Sequence, residues 1–480
     1  MLLSKLINGI KYFGEFEDTE ISSIVTNSKK VTEGALFVAI EGVSVDGHDF
    51  IQEAVQNGAV AAVVTKKCDV SCTQLIVEDT RIAIAKLYAN FLNNPVEQLS
   101  VSGITGTNGK TTTGYLSQYI MSKSGISAGL IGTVENITGE GKEASNYTTP
   151  EPVALQQLFK KMVDTEITDV VMEVSSHALA QNRVHGIDFK VGAFTNLTRD
   201  HLDYHGTMEN YLNEKLKLID MSEIAVINVD DESAPAFLER AGDKKLITYG
   251  IENEARLRAQ NIVSRANGSY FTMCFDDKKY NTFIGIPGKF SVYNALCAVA
   301  IAIANGVRSD VAAKALKSAP GVCGRMEIVP TNKDFTVIID YAHTPDGLEK
   351  AITTLRDIPK EGKLTVLFGC GGDRDKTKRP MMGKIACELA DNIIITSDNP
   401  RTEEPNKIIM DILAGVQPEK ATQTVIPDRR EAIAFALGSA QKGDVILLAG
   451  KGHETYQILK DMTIHFDERE VIKEILMKES

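Results

Sequence analysis

The stretch Gly106-Thr-Asn-Gly-Lys-Thr-Thr-Thr113 decides the fold of this chain. It follows a short apolar run, residues 99–104, that predicts a buried strand, and it precedes helical spacing over residues 112–123. A strand, a glycine loop, Lys-Thr and a helix form the layout of a phosphate-binding loop, because backbone N–H groups and the helix N-terminus attract phosphate. The stretch therefore predicts an α/β domain that binds ATP.

Two side chains of this loop have defined roles in such a layout. Lys110 would reach the terminal phosphates, and the Thr111 hydroxyl would hold Mg²⁺. The spacing departs from the usual pattern, because Ile104 stands five residues before Gly109, where a first glycine is usual. The alternative interpretation is an ordinary glycine turn that precedes Lys-Thr.

Length and composition limit the class of protein. A chain of 480 residues is too long for a single core, so several domains are expected. The net charge of −12 argues against a nucleic-acid partner, and seven cysteines spread along the chain indicate a reducing compartment. The N-terminus shows no signal peptide, and no apolar run is long enough to span a membrane. We expect a cytoplasmic enzyme that is not embedded in a membrane.

The pattern along the chain predicts an α/β fold with three domains. These are a smaller α/β domain over 1–98, a central phosphate-loop domain with a parallel sheet over 99–327, and a doubly wound, Rossmann-like domain over 328–480. A hairpin set is predicted at residues 256–283. Strands are predicted at 35–40, 59–65, 169–174, 191–194, 224–228, 336–339, 364–368, 392–395 and 444–448.

Nearly every predicted strand runs into a polar loop. Examples are residues 175–177, 195–196, 340–343, 371–374, 398–401 and 450–454. Ligands bind outside the carboxyl ends of the strands of open parallel sheets. We therefore expect a site in the cleft between two such domains.

The central segment contains two further candidate metal ligands, Glu173 and His201. Glu173 ends an apolar strand, where a carboxylate has to be paired or metal-bound because burying it alone is unfavourable. His201 lies in a polar segment, where a lone histidine is more often a structural hydrogen-bond partner. With Thr111, these two side chains would form a Mg²⁺ cluster beside the phosphate loop.

The third segment offers a charge run and a stiffened turn. The run 373–379 follows Gly371-Gly372, which favours a ligand loop over the solvated surface that charge runs usually form. Pro400 stiffens the turn that carries Arg401, and a guanidinium on a rigid turn suits bidentate recognition of a carboxylate. A plain turn is the alternative.

Several strings in this order resemble the ATP-dependent Mur ligases of peptidoglycan synthesis, over essentially the whole chain. The family's phosphate loop has the short GTNGKT form, which accounts for Ile104. The other strings are MEVSSH at 172–177, FTNLTRDHLDYHG at 194–206, DYAHTP at 340–345 and GCGGDRDK at 369–376.

The resemblance implies an amide-forming reaction driven by ATP. ATP would phosphorylate the γ-carboxylate of the D-glutamyl residue of UDP-N-acetylmuramoyl-L-alanyl-D-glutamate. An amine of meso-2,6-diaminopimelate would then attack the acyl phosphate, giving the amide, ADP and phosphate. Domain closure would exclude water from this intermediate.

The resemblance also assigns the site residues. The catalytic set is Lys110, Glu173, His201 and Lys215, and Lys215 falls on the family's carbamylated lysine. Its CO₂-derived carbamate would hold the second of two Mg²⁺ ions with His201, beside the cluster of Thr111, Glu173 and His201. The implied ATP contacts are Gly106, Thr107, Asn108, Gly109, Lys110, Thr111, Thr112, Asn294, Arg325 and Tyr341. The implied contacts to the UDP-sugar peptide are Ser28, Thr148, Thr149, Ser175, Gln181 and Arg183. The implied diaminopimelate contacts are Arg374, Asp398, Asn399, Pro400, Arg401, Gly450 and Glu454.

Arg401 is the residue implied to select the amino acid. Diaminopimelate carries a second carboxylate that lysine lacks, so a site with an unpaired guanidinium should reject lysine. Glu454 would bind the ammonium at the distal centre. The alternatives are a lysine-adding or other ligase of the Mur or folylpolyglutamate type, and a phosphate-loop ATPase that acts as a motor or switch. We expect a monomer.

Overall fold

The computed structural model describes residues 1–42, 45–145, 147–265, 267–358 and 362–478. The chain divides into two compact units, and each is described by itself. Unit 1 comprises Met1–Leu257 and Cys297–Ala312, and unit 2 comprises Arg258–Leu296 and Ala313–Ser480.

The first sheet of unit 1 is parallel, with strands in the order β1-β2-β3-β4. The two strands predicted at residues 35–40 and 59–65 are found here as β2 and β3, and all of their residues except one are buried. The short outer strands β1 and β4 each bury a single residue, so their sequences lack the apolar run from which a buried strand is predicted. The elements are α1 (Leu3–Leu6), β1 (Ser23–Val25), β2 (Ala35–Val38), α2 (Ile51–Gln56), β3 (Ala59–Val64), β4 (Thr73–Ile76) and α3 (Thr80–Phe91).

The second sheet of unit 1 follows the phosphate loop. Its strands lie in the order β12-β11-β10-β5-β9-β6-β7-β8, parallel from β12 to β6 and antiparallel from β6 to β8. The elements are β5 (Ser100–Thr105), α4 (Lys110–Lys123), β6 (Ala128–Ile131), β7 (Glu135–Thr138), β8 (Gly141–Ala144), α5 (Pro152–Asp164), β9 (Asp169–Glu173), α6 (Ser176–Ala180), β10 (Phe189–Phe194), α7 (Leu202–His205), α8 (Met208–Asp220), β11 (Ser222–Asn228), α9 (Ala234–Ala241) and β12 (Lys245–Gly250).

The chain continues through the predicted hairpin region, where β14 and β15 pair antiparallel. The elements are β13 (Leu257–Arg265), β14 (Gly268–Phe275), β15 (Lys278–Ile284), α10 (Lys289–Ala304) and α11 (Ser309–Leu316).

The large sheet of unit 2 has the strand order β16-β17-β21-β18-β19-β20, parallel except for the β16–β17 pair. The elements are β16 (Glu327–Val329), β17 (Thr336–Asp340), α12 (Pro345–Arg356), β18 (Leu364–Phe368), α13 (Lys378–Leu389), β19 (Asn392–Ile395), α14 (Pro405–Leu413), β20 (Thr422–Val425), α15 (Arg429–Ser439), β21 (Val445–Ala449), β22 (Tyr456–Ile458), β23 (Thr463–His465) and α16 (Glu468–Lys478). The β22–β23 pair is a separate antiparallel hairpin.

Both faces of this sheet are covered. Alternate residues such as Ile339 and Leu448 share a core with α15 and α16. Their neighbours Ile338 and Leu447, which point to the opposite face, are also fully buried. The sheet is therefore doubly wound, as predicted.

The α/β fold class predicted from the sequence is confirmed. In both units the polar loops follow the carboxyl ends of parallel strands, as after β5, β9 and β10 in unit 1 and after β17, β18, β19 and β21 in unit 2. Within the described ranges, no helix is long and apolar enough to cross a membrane. The domain boundaries near residues 99 and 328 stay a prediction.

Candidate active site

The phosphate loop of unit 1 lies between β5 and α4. The helix begins at Lys110, two residues earlier than the spacing predicts, so the Lys-Thr pair lies on its first turn. Gly106 has a φ of +146°, and a Cβ there would stand 1.9 Å from the Thr195 hydroxyl oxygen. Only glycine fits this close approach.

Side chains that follow β10 fasten this loop. Asn108 donates its backbone N–H to Asn196 Oδ1 at 3.0 Å, and its carbonyl accepts from Asn196 Nδ2 at 3.0 Å and from the Thr195 hydroxyl at 2.7 Å. The loop is therefore held in shape by its neighbours. Sequence reasoning missed Thr195 and Asn196 as site residues, although their place at the end of a strand was the available signal.

Lys110 points back over the loop. Its ammonium donates to the carbonyls of Gly106 and Thr107, both at 2.9 Å. A phosphate oxygen would take the place of these carbonyls as an acceptor for the ammonium, or would share the ammonium with them. The role of Lys110 at the terminal phosphates stays a prediction.

Glu173 forms the buried carboxylate of the site, with 1% of the residue exposed. It accepts hydrogen bonds from the Thr111 hydroxyl at 3.1 Å and from the N–H and hydroxyl of Thr133 at 2.8 and 3.0 Å. The Thr111 and Glu173 oxygens are ligands that Mg²⁺ prefers, so this pair fits the predicted metal. Across the described part of the chain, no three His, Cys, Asp or Glu side chains converge on one point.

Lys215 lies on α8 and is almost completely buried. Its Nζ donates to the Gly106 carbonyl at 2.8 Å and lies 4.4 Å from the centroid of the Tyr211 ring. Burial, and then the neighbouring Lys110 ammonium, lower the pKa of the Lys215 amine well below its ordinary value. This shift favours the neutral amine, which is the form that reacts with CO₂.

His201 caps α7 with a φ of +51° and lies among other rings. The His177 ring is 4.9 Å away and the Tyr211 ring 6.2 Å away, between centroids. Burial lowers the pKa of His201, and burial together with His201 lowers that of His177 to about 4. Both imidazoles are therefore neutral at pH 7, the form that can bind a metal. Sequence reasoning did not assign His177 to the site.

The residues predicted to contact the UDP-sugar peptide form a network around Thr149. The Thr149 hydroxyl donates to the Glu173 carbonyl at 2.8 Å and accepts from the Ser175 N–H at 3.0 Å. Arg183 donates to the Thr149 carbonyl at 3.0 Å and to Gln181 Oε1 at 2.7 Å. This network therefore adjoins the buried carboxylate.

Two further residues of that predicted set lie beside other partners. The Thr148 hydroxyl lies 3.1 Å from the Thr133 hydroxyl oxygen, to which it can donate while Thr133 donates to Glu173, and this links Thr148 to the Glu173 cluster. Ser28 belongs to the first sheet region, where its hydroxyl donates to Glu53 Oε2 at 2.5 Å.

In unit 2, Arg325 stacks on Tyr341, and the predicted contacts of both residues to ATP stay a prediction. The guanidinium lies 4.8 Å from the Tyr341 ring centroid, and the His453 ring lies 4.8 Å from the same ring. Burial, followed by the Glu454 carboxylate, raises the pKa of Tyr341 to about 12. Asn294, the remaining residue of the predicted ATP set, is buried on α10.

The residues predicted to bind the amino acid also converge in unit 2. Asn399 donates its amide to Glu454 Oε2 at 2.9 Å, and Arg401 donates to the Gly372 carbonyl at 2.9 Å. The N–H of Arg401 donates to the Ile458 carbonyl at 3.1 Å, so β22 supports the turn. The structure therefore brings a guanidinium and a carboxylate to one set of loops.

The remaining members of that set lie in the same loops. Asp398 and Pro400 are part of the Asn399 turn, and Arg374 donates to the Asp373 carbonyl at 3.1 Å. Gly450 packs against Asp398, because a Cβ at this glycine would stand 2.6 Å from Asp398 Oδ2.

The charge run 373–379 is only partly a ligand loop. Arg379 is fully buried and pairs with Glu403 at 2.9 Å and Asp411 at 2.8 Å, so it is structural. Asp373 accepts from the Thr402 hydroxyl at 2.7 Å, which fastens the run to the Arg401 turn. Gly371, Gly372 and Arg374 lie in the loop that follows β18, and the ligand contact of Arg374 stays a prediction.

The sequence matches three family descriptions in chain order. They are “Mur ligase family, catalytic domain” over residues 20–104, “Mur ligase middle domain” over 104–302, and “Mur ligase, glutamate ligase domain” over 324–452. Together they include the phosphate loop, the Lys215 helix and the Arg401 turn.

Full-length relatives are similar as well. The chain is 48% identical over 483 residues to UDP-N-acetylmuramoyl-L-alanyl-D-glutamate--2,6-diaminopimelate ligase 1 of Clostridium acetobutylicum, with 99% of each chain covered. A solved structure of UDP-N-acetylmuramoyl-L-alanyl-D-glutamate--2,6-diaminopimelate ligase matches with a TM-score of 0.75 and 30% identity, covering 100% of this chain and 99% of the other. The MurF ligase of Thermotoga maritima, solved with ADP, matches in fold with a TM-score of 0.62 and 22% identity, covering 95% and 98%.

Proposed function

The chain belongs to the Mur ligase family, and we infer from this membership which reaction it catalyses. It joins 2,6-diaminopimelate to UDP-N-acetylmuramoyl-L-alanyl-D-glutamate in an ATP-dependent, amide-forming step of peptidoglycan synthesis, as the names of its relatives indicate. The acceptor is the D-glutamyl γ-carboxylate, and the amino acid is the meso isomer.

The first chemical step is phosphoryl transfer. An oxygen of the D-glutamyl γ-carboxylate attacks the γ-phosphorus of ATP, and the bond to the β-phosphate oxygen breaks, which gives an acyl phosphate and ADP. Lys110 lies over the loop carbonyls at 2.9 Å, where its ammonium would offset charge on the transferring group. The fastened loop keeps its N–H groups aligned for the phosphates.

Magnesium, when bound, offsets the negative charge of ATP and of the phosphoryl group in transfer. Thr111 and Glu173 would hold one ion, since their oxygens already lie 3.1 Å apart. His201 and a carbamylated Lys215 would hold a second ion. Carbamylation would convert a buried amine into an anion beside the loop, and the lowered pKa of Lys215 supports this assignment.

The second step forms the amide. The amine of diaminopimelate attacks the acyl phosphate carbon, and the tetrahedral intermediate collapses with loss of inorganic phosphate. The nucleotide-sugar peptide is held by the Thr149 network, which adjoins Glu173. Ser28, Thr148, Ser175, Gln181 and Arg183 complete this contact set.

One observation supports diaminopimelate over lysine. Asn399 links Arg401 to Glu454, because its side-chain amide donates to Glu454 Oε2 at 2.9 Å and its backbone carbonyl accepts from the Arg401 guanidinium at 3.4 Å. A guanidinium and a carboxylate held together match an amino acid whose distal centre carries both a carboxylate and an ammonium. Lysine has no such carboxylate, so it would leave Arg401 without its ligand.

We also propose that the enzyme acts in the cytoplasm as a monomer. ATP and a nucleotide-linked sugar supply the reaction, and both are cytoplasmic metabolites. Sedimentation of the purified protein at assay concentration tests the monomer.

Product analysis tests the proposed reaction. The purified chain is incubated with ATP, Mg²⁺, the muramoyl dipeptide nucleotide and meso-diaminopimelate, and each component is omitted in turn. Mass spectrometry is expected to show the tripeptide nucleotide only in the complete mixture, with one phosphate released per product. Phosphate release without either substrate would favour a motor or switch instead.

A further inference from the structure

Lys451 is a buried cation for which the reaction above has no role. It follows β21 in the loop of Gly450, and it is fully buried. Its ammonium donates to Glu454 Oε2 at 3.0 Å and to Asn399 Oδ1 at 3.3 Å. It also lies 3.9 Å from Asp398 Oδ1. Lys451 therefore contacts three members of the predicted amino-acid set.

These contacts restrict the groups that would meet the substrate. Asn399 donates its amide N–H to the same Glu454 oxygen that Lys451 binds, and its Oδ1 also accepts from the Ile458 N–H at 2.9 Å. The orientation of Asn399 and one oxygen of Glu454 are thus fixed before a ligand arrives. Preorganised groups bind a ligand more tightly because less ordering remains to be done.

The charges in this cluster do not cancel. Asp398 and Glu454 are carboxylates, and Lys451 is the cation that lies within 4 Å of both. Without Lys451, two carboxylates would lie in a largely buried loop cluster, which is unfavourable. With it, the three groups retain one negative charge, which suits the binding of one substrate ammonium.

We propose that Lys451 is a positioning residue that acts through Glu454 and Asn399 to set the affinity for the amino-acid substrate. The proposal rests on the proposed function, since it assumes that Glu454 meets the substrate ammonium. It assigns Lys451 no contact with substrate and no part in phosphoryl transfer. The alternative is a buried lysine that only stabilises the loop.

Steady-state kinetics of Lys451→Met, Lys451→Arg and the exposed control Lys460→Met test the proposal. Lys451→Met is expected to raise KM for diaminopimelate about tenfold or more, with the KM for ATP changed less than about twofold, because charge-assisted hydrogen bonds to Glu454 are lost. Lys451→Arg is expected to restore part of the affinity. Lys460→Met is expected to behave as the wild type.

A double-variant cycle separates positioning from plain stabilisation. In a Glu454→Gln background, Lys451→Met is expected to add less than about twofold to KM, because the group it positions is already lost. The proposal would be overturned if Lys451→Met raised KM by the same factor in the wild-type and Glu454→Gln backgrounds. It would also be overturned if Lys451→Met left KM unchanged. If thermal melting shows that Lys451→Met does not fold, the same cycle is run with Lys451→Gln, which also removes the charge, and the same two results decide it.

The activity of the wild-type enzyme distinguishes a failure of the positioning role from a failure of the proposed function. Wild-type activity with diaminopimelate but no effect at Lys451 would contradict only the positioning role. Absence of diaminopimelate-dependent product from the wild type would contradict the proposed function itself.

Discussion

Lys215 illustrates at the scale of one residue how burial changes chemistry. The spacing of α8 alone would place this lysine on a helix surface, yet the structure buries it against the Gly106 carbonyl and the Tyr211 ring. An ammonium in such a place loses its hydration, and the nearby Lys110 adds repulsion. Both effects lower the pKa of the Lys215 amine and so favour its neutral form.

Lys215→Ala is expected to lose most activity and to retain the fold. The methyl group cannot carry a carbamate, while the Gly106 carbonyl keeps its hydrogen bond from Lys110 at 2.9 Å and so is not left unpaired. Phosphate release measures the activity, and circular dichroism with thermal melting checks the fold. Lys217→Ala, a half-exposed lysine on the same helix, is the matched control. Near-normal turnover of Lys215→Ala would contradict the assigned role.

Arg401→Ala is expected to raise KM for diaminopimelate by about tenfold or more, and far more than KM for ATP. The reason is the loss of a charge-assisted pair with the second carboxylate. Initial rates at varied concentrations of each substrate measure both constants. Arg430→Ala, at an exposed arginine of the same unit, is expected to change neither. Equal effects on the two substrates would count against the assignment.

His453 gives an expected pH dependence of stability. Burial is the first cause, and Arg325 and Arg469 add to it, lowering the pKa of this histidine from 6.5 to about 4. Between these values the unfolded chain binds a proton that the folded chain does not, so the free energy of unfolding falls as the pH falls from 6.5 to 4. His453→Gln is expected to flatten this dependence in urea titrations.

A second histidine serves as the control for that titration. His465 is exposed and pairs with Glu470, which raises its pKa, so its contribution is lost as the pH rises and has the opposite sign. His465→Gln should therefore leave the acid-side slope in place. An unchanged slope in His453→Gln would contradict the stated pKa.

At the scale of elements, the phosphate loop depends on its neighbours as much as on its own glycines. Gly106 has a positive φ and lies against Thr195, and Asn196 closes two hydrogen bonds to Asn108. The loop shape is therefore a property of β5, β10 and the turn between β5 and α4 together.

Gly106→Ala is expected to lower the free energy of unfolding by about 1–3 kcal/mol and to abolish ATP binding. The added methyl group meets the Thr195 oxygen, and the residue cannot hold φ near +146° without strain. Urea unfolding and calorimetry with ATP measure the two effects. Gly438→Ala in α15 has open space at its Cβ and should be neutral or slightly stabilising. Wild-type ATP affinity in Gly106→Ala would contradict this view of the loop.

Elements with continuous burial could be predicted from the sequence, and edge elements could not. The strands β5, β18 and β19 lie within a residue of their predicted bounds, because buried parallel strands leave long apolar runs. The strands β8 and β20 are largely exposed, and their composition resembles that of loops. The position of each site loop followed from the strand before it.

Contacts across loops could not be predicted in this way. Nothing local marks Arg379 as buried or links Lys451 to Asn399, since these partners lie 24 and 52 residues away along the chain. The carbamate assigned to Lys215 came from resemblance alone. Such features depend on tertiary packing, which a pattern of residues along one element does not contain.

At the scale of the whole molecule, chemistry is divided between the two units. Unit 1 holds the phosphate loop, Glu173 and Lys215, and unit 2 holds the Arg401 and Glu454 loops. A chain with net charge −12 can still bind anionic substrates, because each site places its cations locally.

A competition between two amines tests the proposed function most directly. The wild-type chain is given ATP, Mg²⁺, the muramoyl dipeptide nucleotide, and meso-diaminopimelate and L-lysine at equal concentration, and the products are separated by mass. The expected result is the diaminopimelate product in excess over the lysine product by about a hundredfold or more, because only diaminopimelate pairs with Arg401. A predominance of the lysine product, or ATP hydrolysis without either product, would contradict it.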